Sequence, residues 1–303
     1  MDTKFSKPKT FGEILDHTFS LSKNRFSDFF LIMLILMGPV YLLQAIIQLF
    51  SGTSFFRELG NGDMWLEQII TSFDETVIPL ESSVGIELGV ILTGLIGIIL
   101  FPIAEAAVIF AIDHIRKNEE YTVSSVIKEA FSRFWPILGS SILFGLIVFG
   151  IVLVPIVIVS LTGIFGAVIH PAFGIIMAII FFLGFAVVVG YLLTRWSFYF
   201  CSVVIEKDSP GFTRSWRLTG KRTWLLMGLY IIFYIIIATI SGAIELTFGL
   251  VLGNSVLQSI IVNFATILTT MFLTVGYAVM YFDLKTRHDA DDIKDLIEDY
   301  KSY

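Results

Sequence analysis

The chain has 303 residues, of which 56% are hydrophobic and only 15% charged, and it contains 29 phenylalanines. Soluble domains carry about 25% charged residues, so this composition excludes an ordinary soluble protein and requires a bilayer as solvent. The net charge of -6 implies no nucleic-acid partner, since the acids gather in one loop and the tail, and the single Cys201 allows no intrachain disulfide framework.

Residues 1–28 carry Lys4, Lys7, Lys9, Lys23 and Arg25, with Phe11, Ile14, Leu15, Thr18 and Phe19 spaced for one face of an amphipathic interfacial helix. The apolar run from Phe29 to Phe50 is long enough to span and is read as a retained first transmembrane helix, not a cleaved signal, with Gly38-Pro39 as a kink. Residues 51–85 form an acidic extracytoplasmic loop, where Trp65, Ile69 and Phe73 are spaced for a short outer helix. A solvated loop with an aromatic anchor explains that loop more simply than a partner site.

The second span, 86–112, holds Pro102 and Glu105. A second amphipathic helix follows from Tyr121 to Trp135, then a span from Pro136 to about Ile169, a turn at His170-Pro171, and a fourth span from Phe173 to Ile205 with a kink expected at Pro155. The segment PGFTRSWRLTGKRTW begins a third amphipathic helix, and spans over about 223–252 and 255–282 follow, separated by Gly253-Asn254. An acidic tail, 286–303, has Ile293, Leu296 and Ile297 spaced for one short helix. Of 20 Lys and Arg, 18 fall in the four segments that six spans place on one side, so both termini are expected in the cytoplasm.

The predicted fold is therefore all-α: a polytopic membrane protein of six transmembrane helices arranged as three hairpins, each preceded by an amphipathic interfacial helix on the cytoplasmic side. Three junctions resemble one another, FSLSKNRFSDFF, AFSRFWPIL and WRLTGKRTWLL, each ending an amphipathic segment at a basic residue (Arg25, Arg133, Arg222) before an aromatic entry into a span. This gives one membrane domain, 1–285, of approximate repeats 11–113, 121–207 and 210–285. Glu105 lies twelve positions before Lys117, and Arg195 twelve before Lys207, so the two ionisable residues occupy matching depths in successive units. They form a candidate intramembrane pair, with snorkelling of Arg195 or a solute or proton site as alternatives.

Chemistry is otherwise sparse. No HExxH, CxxC, GxxxxGK[ST] or GxSxG motif occurs, so no catalytic residue, metal site or cofactor is assigned. Asp16-His17, Asp113-His114 and His288-Asp289 read as polar interface residues, not a converging metal site. The small-residue pairs Gly249/Gly253 and Ser141/Gly145 are expected at close helix contacts. Arg25, Arg133, Arg214, Trp216, Arg217, Lys221 and Arg222 are the candidate contacts to anionic headgroups or to an unidentified protein partner.

The stretches KPKTFGEILDHTFSLSKNRFSDFF and GFTRSWRLTGKRTW resemble the bacterial membrane proteins related to the membrane domain of glycerophosphoryl diester phosphodiesterases. The resemblance implies a bacterial plasma-membrane protein with six helices, in which Arg214, Ser215, Trp216, Arg217 and Leu218 match the recurring inner-face motif. Fused family members hydrolyse substrate in a separate soluble barrel. Only 21 residues follow Phe282, so that barrel is expected to be absent and no catalytic role carries over. The leading expectation is a non-enzymatic scaffold or regulator engaging lipids and a protein through the basic helices. The alternative is a transporter or lipid-handling protein with a polar path at Glu105 and Arg195.

Overall fold

A computed structural model describes Phe5 and residues 7–56 and 84–301, and among these the regular structure is helical throughout. Helix α1 (Phe11–Asn24) leads into α2 (Phe26–Phe50). Then come α3 (Val84–Lys117), α4 (Val123–Ser132), α5 (Phe134–Ile169), α6 (Pro171–Trp196), α7 (Phe212–Thr219), α8 (Thr223–Leu252) and α9 (Val256–Lys301). Among the described residues six stretches are long and apolar enough to cross a membrane, among them Pro171–Glu206, which continues α6 through a short turn. The outer helix expected at Trp65, Ile69 and Phe73 lies outside the described residues.

The three short helices are amphipathic, and each buries its face on the long helix that ends just before it or, for α1, on the last one. On α1, Ile14, His17, Thr18 and Leu21 face inward against α9. That face is rotated from the expected one: Phe19 is half exposed at its edge, its ring 4.6 Å from Phe272. Val126 and Ala130 of α4 pack on α3, and Ser215, Leu218 and Thr219 of α7 pack on α6. Thr10 starts α1: its backbone N–H donates to Glu13 Oε2 at 2.6 Å, a bond that lowers the pKa of this exposed carboxyl.

The long helix after each short one starts directly behind an arginine in nearly the same non-helical conformation; Arg25 and Arg133 also end α1 and α4, whereas α7 ends at Gly220 and a turn leads to Arg222. Arg25 has φ -121 and ψ 27, Arg133 φ -111 and ψ 23, and Arg222 φ -135 and ψ 17. One residue of this kind breaks the i to i-4 ladder and redirects the chain, so a long helix starts immediately after it. This moves the third span's start forward from Pro136 to Phe134.

The long helices pack in consecutive pairs, α2 with α3, α5 with α6 and α8 with α9. The pairs also join end to end: α3 touches α5, α6 touches α8, and α9 returns to α2 and also meets α3. Helix continues through Pro39, Pro102 and Pro155. Gly253, with φ +57, ends α8, and the first N–H groups of α9 are satisfied from the loop after α2, Val256 N–H by the Ser54 carbonyl and Leu257 N–H by that of Phe55, both at 3.1 Å.

Two expectations about the long helices change. The fourth span holds as an apolar stretch of spanning length, but its helix is interrupted: α6 stops at Trp196, a turn at residues 197–198 and one short piece of helix at Tyr199–Cys201 follow, and Ser202–Glu206 is π-helical. The tail is not a separate short helix, because α9 runs on to Lys301 with no Gly or Pro after Phe282 to end it. Among the small-residue pairs, Gly249 lies close to Gln258, but Gly145 meets open space with no atom within 4 Å of a Cβ built there. Within the long helices the closest approaches are elsewhere, at Gly166, Gly174 and Gly276.

Candidate functional site

The centre of interest is a cavity of about 540 Å3 where the helix pairs meet, lined from α3, α5, α6, α8 and α9. Glu105 of α3 is the single carboxyl on its wall, half-buried, with the Thr274 hydroxyl of α9 as its neighbour. Its flanks on α3 are wholly buried: Ala104 and Ala106 are both 0% exposed, so packing holds the helix and the carboxyl with it. Around it stand Phe144, Tyr199, Tyr230, Tyr234 and Tyr277, with Thr194 and Ser197 as further hydroxyls. Among the described residues no cation forms an ion pair with Glu105.

The break after α6 belongs to this wall. Tyr277 Oη donates to the Ser197 carbonyl at 2.8 Å and accepts from Cys201 N–H at 3.2 Å. In a regular helix those two backbone groups would bond each other, so the tyrosine hydroxyl is inserted between them. Its ring stacks on Phe198 at 5.2 Å and 3°. Val203 and Val204 carbonyls, in the π-helical stretch beyond, both accept from Arg133 Nη1 at 2.7 Å.

The structure does not bring Glu105 and Arg195 together. Thr194 lines the cavity, but the next side chain along the helix points about 100° further round. The Arg195 guanidinium accordingly lies over Trp216 of α7, its Cζ 4.0 Å from the ring centroid. Of the alternatives weighed for this pair, the ion pair is the one absent among the described residues.

The candidate headgroup residues separate into two groups. Arg214 is held by Glu206 (Nε at 2.7 Å and Nη2 at 3.2 Å), which also takes Lys285 at 3.0 Å. Arg222 pairs with Asp283 at 3.3 Å, and Arg133 is spent on the two carbonyls above. These three therefore join elements of the protein instead of facing solvent freely. Burial pulls the pKa of both Arg133 and Arg222 down. Arg25 is exposed with Asp28 at 3.8 Å, and Arg217 and Lys221 are exposed, while Trp216 is partly covered by Arg195 and by Trp196 at 5.7 Å.

Sequence reading did not single out Asp283, Glu206, Tyr121 or Tyr277. Tyr121 Oη donates to Asp28 Oδ2 at 2.8 Å; its half-burial, together with that carboxylate, raises its pKa. Among the described residues no three His, Cys, Asp or Glu side chains converge as metal ligands, and Asp113 pairs with Arg116 at 2.8 Å and Lys117 at 2.7 Å. No protein-family model matches the chain, and neither does any curated protein or solved structure.

Proposed function

We propose that this chain is a bacterial plasma-membrane protein with both termini cytoplasmic, and that it binds a small amphipathic cation at Glu105 for lipid handling or solute movement. In this reading the six spans form three hairpins, and α1, α4 and α7 lie at the cytoplasmic interface. The relation to the membrane domain of glycerophosphoryl diester phosphodiesterases belongs to the same proposal, and it brings no catalytic role.

The observation that carries the reading is a lone carboxyl on the wall of an otherwise aromatic and hydroxylated cavity. An ionised carboxylate among helices is costly without a partner, and aromatic faces attract the same positive charge that the carboxylate would pair with. A volume of about 540 Å3 falls within the usual range of small-molecule sites, roughly 300–1,000 Å3. The scaffold reading, with lipid and an unidentified protein as partners, rests on the exposed Arg25 and Arg217. It draws less support from Arg133, Arg214 and Arg222, whose charges are engaged internally.

The test is calorimetric titration of the protein in nanodiscs with tetraphenylphosphonium, a lipophilic cation, and with uncharged triphenylmethane. Saturable binding of the cation, weakened at least about tenfold by Glu105→Gln, is expected, as befits loss of a charged contact. Triphenylmethane binding should not depend on the substitution. Equal cation affinity in both proteins would remove Glu105 from the site and the reading with it.

A further inference from the structure

Arg195 is only 8% exposed, yet it has no counter-ion among the described residues. Its Nε is buried without any hydrogen-bond partner, and Trp216 covers one face of the guanidinium. The group's position is nonetheless tightly set. The Arg195 carbonyl accepts from Ser215 Oγ at 2.9 Å and from Thr219 Oγ1 at 3.2 Å, while Ser215 Oγ also accepts from Phe198 N–H at 3.0 Å. Two hydroxyls of α7 therefore clamp the end of α6 and hold the guanidinium against α7.

The other arginines of that end that are not fully exposed differ in this. Arg116, Arg133, Arg214, Arg222 and Arg287 each have a carboxylate or carbonyl partner. A cation within a span costs about 2.5–3.5 kcal/mol even on the milder insertion scale. A ring face offsets part of that cost but leaves the N–H donors along the guanidinium edge unused. That planar edge suits a phosphate, which it can grip through two parallel hydrogen bonds. Space beside it is kept by Gly220: a Cβ there would stand 3.0 Å from Arg195 Nη1. Arg217, exposed and three residues before this glycine, adds positive potential.

We propose that Arg195 is the fixed cation of a phosphate-binding site at the junction of α6 and α7. The bound group is a phosphate oxyanion, carried by an anionic lipid headgroup or by free phosphate at the same face. The proposal requires the chain to be membrane-inserted but is independent of a ligand at Glu105.

Protein in neutral maltoside detergent would be titrated calorimetrically, once with dihexanoyl phosphatidic acid and once with inorganic phosphate. Saturable binding that Arg195→Gln weakens about tenfold or more is expected, the loss appropriate to charge-assisted hydrogen bonds. Binding of the lipid alone makes the headgroup the ligand, whereas comparable binding of inorganic phosphate makes the free anion the ligand, and either supports the site. Unchanged affinity for both in Arg195→Gln overturns it. Gel filtration and a single melting transition establish that each variant is folded. If Arg195→Gln does not fold, Gly220→Leu, which fills the space beside Nη1 with Arg195 retained, is expected to weaken phosphate binding, and unchanged binding there overturns the proposal. Glu105→Gln should leave phosphate affinity as it is in the wild type.

Discussion

Asp283 is 2% exposed and accepts hydrogen bonds or ion pairs from three parts of the chain. Lys9 N–H reaches Oδ1 at 2.6 Å, while Arg222 Nη1 at 3.3 Å and Arg287 Nε at 3.0 Å share Oδ2. Arg287 Nη2 also donates to the Lys9 carbonyl at 2.6 Å, which closes the loop of contacts around the N-terminal segment. Removing the charge would leave two guanidiniums facing each other across a buried amide. Asp283→Asn should therefore lose about 2–4 kcal/mol, toward the level at which breaking one side of a buried pair is usually felt. Unfolding in a graded mixture of mild and denaturing detergent measures this. Asp16→Asn, at an exposed position, should shift stability by less than about 0.5 kcal/mol, and equal shifts in the two would deny Asp283 this role. Nothing in the sequence marks the cluster, because 61 positions separate Arg222 from Asp283 and such pairs leave no periodic trace. With the last span read as ending at Phe282 and the tail as starting at 286, Asp283 drew no role and Arg222 was left to the headgroups.

At the scale of elements, α5 and α6 show how close two membrane helices come when side chains are absent. A Cβ on Gly174 would lie 2.5 Å from the Ala167 nitrogen and 2.6 Å from the Gly163 oxygen, so backbone itself occupies the space. Small residues at such crossings allow the van der Waals contact that holds helices together in lipid. Gly174→Leu should push the pair apart and cost about 2–3 kcal/mol of stability, read as a lower melting temperature in detergent. Gly145→Ala, where there is open space, should be neutral or slightly stabilising because alanine favours helix. The reverse order would place the close crossing at the wrong glycine. Sequence marks small residues but not which of them faces a neighbour, which is why Ser141 and Gly145 drew attention and Gly166 and Gly174 did not. The break after Trp196 was equally hidden. It depends on the Tyr277 hydroxyl arriving from a helix 80 residues away, whereas apolar composition alone reads as an uninterrupted span.

For the whole molecule, the legible features were those written locally. An amphipathic segment, an arginine and an aromatic entry into an apolar run all lie within about one helix length, so the junctions at Arg25, Arg133 and Arg222 could be aligned before any contact was known. What could not be read was the closure of the helix pairs on one another, and with it the cavity at Glu105, because both arise from packing between distant segments. The proposed topology makes a prediction that depends on this arrangement and on no ligand. Cys201 is 0% exposed, so the wild-type protein should resist a membrane-impermeant maleimide applied from either side. Single cysteines would be introduced at the exposed positions Lys23 near the end of α1, Lys128 on α4 and Phe56 after α2. Inverted vesicles should label Lys23→Cys and Lys128→Cys, and intact spheroplasts should label Phe56→Cys, each rapidly and from that side alone. Labelling of Lys128→Cys together with Phe56→Cys from one side would require an odd number of crossings between residues 56 and 128 to be replaced by an even one. That outcome would remove α3 as a span and, with it, the placement of Glu105 within the membrane.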